Sequence, residues 1–167
     1  MKQVLPFTDI IIGNEAEAEA WATANELTFT KGSSDEDYIK YLQAVAKSLA
    51  TFEKKNDRPR TVVITQGPKS TIVVTSTSPD SSKVYGVHAL PDDKIVDTNG
   101  AGDAFAGGFL GALVAGKSLD DCVETGHKMG AMCVQQVCFF AILERPIYSD
   151  PPSQVGPQYQ WPKVQIF

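Results

Sequence analysis

Polar and apolar positions alternate along the chain in blocks, and each block points to an element. DIIIG (9–13) is a short apolar run closed by glycine and predicts a buried strand. NEAEAEAWATANEL (14–27) predicts a helix, with Asn14 placed to cap it and acidic residues in the first turn, where they suit the helix dipole. In DEDYIKYLQAVAKSLATFEKK (35–55), Tyr38, Tyr41, Leu42, Val45, Leu49 and Phe52 recur at helical spacing and predict an amphipathic helix. RPRTVVITQGPKSTIVVTSTS (58–78) predicts two strands around a Gly-Pro turn. SKVYGVHAL (82–90) predicts another strand and KIVD (94–97) a short one. An apolar helix is expected over 102–115 and a second from Leu119 to Gln136, where Ser118 and Asp121 resemble a capping box. Strands alternating with helices predict an α/β layered domain with a largely parallel sheet. The strands are few for such a sheet, so the chain is expected to be part of a larger domain.

The character changes after Gln136. VCFFAILERPIYSDPPSQ (137–154) is apolar and then proline-rich, with neither helical nor strand periodicity. VGPQYQWPKVQIF (155–167) sets Pro157 and Pro162 among aromatics and reads as an extended closing segment.

Composition narrows the function. At 167 residues the chain can bury one sizeable core, and 43% hydrophobic with 21% charged residues is ordinary for a soluble globular protein. A net charge of −5 argues against nucleic-acid or anionic-membrane partners, which need clustered Lys and Arg. An anionic ligand remains open, through backbone amides or a metal ion. Cys122, Cys133 and Cys138 have no CxxC spacing and no histidines placed for zinc, which implies a reducing setting, cytoplasmic or nuclear. The opening MKQVLPFTDIIIG has too short an apolar run for a signal peptide, and no window approaches membrane-spanning length.

The chemistry concentrates in DTNGAGDAFAGGFL (97–110). NGAGD offers up to three consecutive amides, from Gly100, Ala101 and Gly102, at the start of a helix. Glycine lets that backbone turn sharply and approach a ligand, and the helix dipole adds positive potential, so the turn is an anion hole. Asp103 directly behind it has two readings. As a structural residue it caps the helix, although Asn99 and Thr98 could do that already. As a functional one it accepts a hydroxyl proton while the amides stabilise charge on a phosphoryl group being transferred, which is kinase chemistry. A dinucleotide fingerprint fits worse because position 105 is Phe and an acid would face the pyrophosphate. GPKS (67–70) echoes the end of a Walker loop but lacks its upstream glycine and lies between two strands.

DTNGAGDAFAGGFL resembles the second signature of the ribokinase-like (PfkB) carbohydrate kinases, usually written DTxGAGD, and GNEAEAEAWA (13–22) resembles their upstream N-x-x-E element. The Asn in DTNGAGD, the GNEAEA form and the ending VGPQYQWP are similar to the adenosine-phosphorylating branch rather than to ribokinase or fructokinase. The resemblance implies a partial ribokinase-like three-layer α/β/α domain, its C-terminal half, with the lid domain and sugar-binding half absent. It implies ATP-dependent phosphorylation of the adenosine 5′-hydroxyl to give AMP, a purine-salvage step, by an enzyme that is monomeric when complete. Asp103 would be the general base and Gly100, Ala101 and Gly102 the anion hole. Glu17 with Asn14 would organise Mg²⁺ through water around the ATP phosphates. Thr65 and Gly67 in ITQG would line the ATP site, and His127 in ETGHKMGA would lie near the adenine of ATP. Asp97 would be structural or help hold a monovalent cation, K⁺. His88 is unassigned. Two alternatives stand beside this: a sugar kinase of the same family, and a non-catalytic fragment that only binds nucleotide.

The resemblance divides the chain into 1–136, part of the kinase domain; 137–154, an aberrant insert; and 155–167, the closing segment of the kinase domain. The family pattern runs from CVQQ (133–136) straight into VGPQYQWPK, so deleting 137–154 restores that join in frame. The insert is read as a retained intron, with a surface loop as the rival.

Overall fold

A computed structural model describes residues 3–29, 31–32 and 34–136. The chain divides into two compact units, Met1–Ala89 and Leu90–Phe167.

The first unit is a four-stranded sheet covered on one face by two helices. Strands β1 (Ile10–Asn14), β2 (Thr61–Gln66), β3 (Ser70–Thr75) and β4 (Lys83–Gly86) lie in that order across the sheet. The expected largely parallel sheet is not what forms: β1 and β2 are parallel, but β2–β3 and β3–β4 are antiparallel. The reason is loop length. Gln66 pairs with Ser70, leaving only 67–69 to reverse the chain, and a parallel return needs a crossover of a dozen or more residues. Between β1 and β2 such a crossover exists, made of helices α1 (Glu15–Ala24) and α2 (Asp35–Ala50). The strand expected over 82–90 is confined to β4.

The apolar positions read from the 35–55 stretch bury against the sheet as predicted. Leu42, Val45 and Leu49 of α2 join Trp21 and Ala22 of α1 over Val62, Ile64, Ile72 and Val74, which share one face at period two. Trp21 meets Phe52 edge to face, ring centroids 5.5 Å apart. Helix α2 stops at Ala50, short of the expected Lys55. The cause is Arg60, fully buried at the head of β2. Its guanidinium donates to the carbonyls of Leu49 (2.9 Å) and Phe52 (2.7 Å), and more weakly to Glu53, just where the helix runs out of internal donors. It also donates to Leu5 and Thr8, tying the N-terminal turn to the same point.

The second unit contains helices α3 (Ala101–Val114) and α4 (Leu119–Val134). Their glycines set how close they pack. A Cβ on Gly108 would stand 2.7 Å from Met129 and 2.9 Å from the Thr125 carbonyl, and one on Gly126 would stand 2.8 Å from the Phe105 ring. Phe105, Phe109 and Ala112 of α3 and Cys122 and Val123 of α4 are buried. Ser118 caps α4 through the Asp121 amide, but the box is not reciprocal: the Asp121 carboxylate accepts the Ser118 hydroxyl instead of its amide. The strand expected at KIVD does not form. A short 3-10 turn spans Asp92–Lys94, and the Val96 and Asp97 amides go to a helix end instead of a strand.

Candidate active site

In the first unit, β1 and β2 run parallel and end together. Asn14 is the last residue of β1, and its partner across the ladder is Thr65. Two residues far apart in sequence, singled out for different reasons, are therefore neighbours at the carboxyl end of a parallel pair. In open α/β sheets that end is where ligands bind. The Thr65 hydroxyl donates to the Gly13 carbonyl at 3.4 Å. Gly67 follows the last residue of β2, with a φ of 48° that glycine adopts without strain.

Asn14 also caps α1. Its Oδ1 accepts the Glu17 amide at 2.9 Å, while Glu17 Oε2 accepts the Asn14 amide at 2.8 Å. The N-x-x-E spacing thus has a structural use, a complete capping box. Gly13 makes room for it: a Cβ there would lie 2.7 Å from Glu17 Oε2. The box holds the exposed Glu17 carboxylate folded back over the end of β1, with Oε1 unbonded among the described residues. These described residues contain no cluster of three or more His, Cys, Asp or Glu side chains able to enclose a metal on their own.

In the second unit, Asp97 to Asp103 form one turn. Asp97 Oδ1 accepts the Asn99 amide at 2.9 Å, closing an Asx turn. Gly100 is the N-cap of α3 with φ 77°, a left-handed conformation that glycine alone takes readily. Neither Asn99 nor Thr98 caps the helix, although the sequence offers both; no side chain does. The left-handed Gly100 swings the chain into α3 in a way that leaves their side chains off the helix end. The Ala101 amide bonds the Thr98 carbonyl at 3.3 Å, so among the described residues the expected anion hole keeps open amides at Gly100 and Gly102, and the Asp103 amide adds another. Asp103, the third residue of α3, is exposed and makes no side-chain hydrogen bond among the described residues. The reading of Asp103 as a cap has no bond to support it.

His127 lies on α4 and packs its ring against Phe105, two residues after Asp103, at 5.5 Å between centroids. The turn itself is held from α4. The Val134 carbonyl accepts the Val96 amide at 2.8 Å and the Asp97 amide at 3.2 Å, and Cys133 Sγ donates to the Asn99 carbonyl at 3.5 Å. Sequence reasoning missed Cys133 and Val134. Their partners lie more than thirty residues earlier, and an ordinary helix end carries no mark of what it touches.

An uncapped, glycine-led helix start with a carboxylate at its third position is an arrangement able to receive an anion and a proton. Comparison with known proteins makes the class specific. The model of the pfkB family carbohydrate kinases matches residues 1–138, and the chain belongs to that family. It is 48% identical over 167 residues to the adenosine kinase of Schizophyllum commune, a match covering 99% of this chain and 41% of that protein. With the adenosine kinase of Schizosaccharomyces pombe it shares 40% identity over 136 residues, 81% of this chain and 36% of the relative. Among solved structures, Anopheles gambiae adenosine kinase in complex with P1,P4-di(adenosine-5) tetraphosphate superposes with a TM-score of 0.71 at 31% identity, covering 83% of this chain and 38% of that one. The chain thus spans about two fifths of the length of the relatives it matches. Among the described residues no helix is long and apolar enough to cross a membrane.

Proposed function

We propose that this chain is the catalytic and ATP-binding portion of an adenosine kinase working in the cytoplasm, with Asp103 as its general base. The observation that carries the reading is the uncapped start of α3, where, among the described residues, open amides stand beside a carboxylate that makes no hydrogen bond. A resting phosphate is repelled by such a carboxylate. A hydroxyl that must lose its proton is not.

In the proposed step the 5′-hydroxyl oxygen of adenosine forms a bond to the γ-phosphorus of ATP as its proton passes to the Asp103 carboxylate. The bond from that phosphorus to the β-γ bridging oxygen breaks and ADP leaves. Charge on the transferred phosphoryl oxygens is met by the Gly102 and Asp103 amides and the positive end of α3, where preorganised donors stabilise a transition state most effectively. In this reading Thr65 and Gly67 line the nucleotide site, and His127 is the residue that meets the adenine. Asn14 and Glu17 present only hard oxygen donors, and few of them. That suits Mg²⁺ held mainly by water and phosphate rather than by a protein cage. When bound, Mg²⁺ neutralises phosphate charge. Asp97 serves the Asx turn, and no step is assigned to K⁺.

Because the chain spans two fifths of its relatives' length, the test uses a chimera in which residues 1–136 replace the matching residues of the Schizophyllum commune adenosine kinase. AMP formation from ATP and adenosine is expected. Asp103→Asn should lower kcat by roughly 10²–10⁴ while ATP binding survives, the usual cost of losing a general base. Near-normal turnover by that variant refutes Asp103 as the base.

A further inference from the structure

We infer that the last turn of α4, through Cys133 and Val134, positions the catalytic turn, a role that rests on the reading of Asp103 given above. The turn lies on the surface. Its side chains are mostly exposed, it takes a left-handed step at Gly100, and its own bonds include one Asx contact and one long amide contact. Three contacts from α4 tie it down. The Val134 carbonyl takes the amides of Val96 and Asp97 on the upstream side. The Cys133 thiol donates to the Asn99 carbonyl, and a Cβ on Gly100 would lie 3.6 Å from that sulfur, so the thiol also rests on the left-handed glycine. A helix end is suited to this because its last carbonyls have no intrahelical donor. α4 is in turn fixed to α3 by glycine contacts at Gly108, Gly126 and Gly130. Turn, α3 and α4 thus close a ring, and the orientation of the open amides and of Asp103 depends on where α4 ends. Displacement of reacting groups by about 1 Å can cost about 10² in rate.

The first test is amide hydrogen exchange on the full 167-residue chain. The Val96 and Asp97 amides should be protected at least about tenfold more than those of Gly102 and Asp103, although Val96 is 57% exposed. Equal protection overturns the inference without any variant having to fold. The second test is kinetic, in the chimeric kinase. Cys133→Leu, which forces bulk between the Asn99 carbonyl and Gly100, should lower kcat about 10- to 100-fold with KM for ATP within about threefold, and Cys133→Ser, which keeps a donor, should retain kcat. Wild-type kcat in Cys133→Leu while Asp103→Asn is inactive overturns the positioning role and leaves the base assignment standing. Full activity of Asp103→Asn overturns the base assignment instead.

Discussion

Replacing Arg60 by Met keeps most of the side-chain volume and removes the guanidinium that ends α2. The carbonyls of Leu49 and Leu5 then lose their charged donor in a buried setting and keep only the Phe52 amide (3.4 Å) and the Thr8 amide (3.1 Å), and those of Thr8, Phe52 and Glu53 lose theirs where water reaches more easily. A hydrogen bond to a charged group contributes about 1.5–3 kcal/mol, so the two buried ones set a gross loss of roughly 3–6 kcal/mol. Against this, the variant no longer buries a charge. Desolvation already pushes the Arg60 pKa down, with only Asp9 opposing it through its charge, so removing the charge returns part of the loss. The net expectation is about 3 kcal/mol, a large share of the 5–15 kcal/mol typical of a domain. Urea unfolding followed by Trp21 fluorescence, in a Trp161→Phe background, reads the right region, because Trp21 packs on the Phe52 whose carbonyl Arg60 holds. With slopes of about 1–3 kcal/mol/M, the midpoint should fall by about 1–3 M. Arg60→Lys should recover little, since an ammonium on a flexible stem cannot serve carbonyls on three sides. A shift below about 0.5 kcal/mol for Arg60→Met would refute the idea that this guanidinium organises the end of α2.

Gly108→Ala should destabilise by about 1–3 kcal/mol through contact with Met129 and the Thr125 carbonyl, whereas Gly107→Ala, which meets nothing within 4 Å, should stabilise by about 0.5–1 kcal/mol; thermal melts of the pair giving the same sign would contradict the helix contact. The Asp9 carboxyl is held below the usual carboxylate range, first by the Lys54 hydrogen bond and then by the Arg58 charge. Its contribution is present above the unfolded value near about 3.9 and is lost as pH falls through the lower folded value, so wild type and Asp9→Asn should differ at neutral pH and converge in acid; parallel stability curves would rule this out. Residues 137–154 are proposed to be a retained intron: Val137 and Cys138 can be read from GTNTGY, Gln154 from CAG, and Ser149 with Asp150 from TCTGAC, which contains a branch-point-like CTGAC. Coding DNA without GT at Val137 or AG at Gln154, or mature transcripts that all keep the segment, would end that proposal.

How much of this was legible in the sequence varied by element, and the variation has physical causes. The helices α1, α2 and α4 were readable because their cores and caps are local: the α2 periodicity, and Asn14 and Ser118 at their N-caps, act over a turn or less. Sheet direction was misjudged although the signal was present, since a Gly-Pro turn of 67–69 can only return antiparallel. KIVD has the composition of a strand, but its last two amides are claimed by Val134, a partner that no local pattern announces. The N-x-x-E element was read through a family resemblance as metal-organising. Its spacing is also that of an N-cap and its third helical residue, and the capping box is what forms.

The small residues of AFAGGFLGAL (104–113) gain a reason from the contacts of α4. Helix axes normally lie 8–10 Å apart, with the separation set by the side chains at the crossing. Where Gly108 meets Met129 and Gly126 meets Phe105, any larger residue on either helix forces α4 away from α3. The Val134 carbonyl reaches the Val96 and Asp97 amides at 2.8 and 3.2 Å, and a hydrogen bond tolerates only a few tenths of an ångström beyond that. Close packing at the middle of α3 is therefore a condition for α4 to reach the turn at its start. Gly108, which follows Asp103 in the motif, and Gly100, which precedes it, serve one geometry: the first brings up the helix that anchors the turn, and the second lets the turn enter α3 with its amides open.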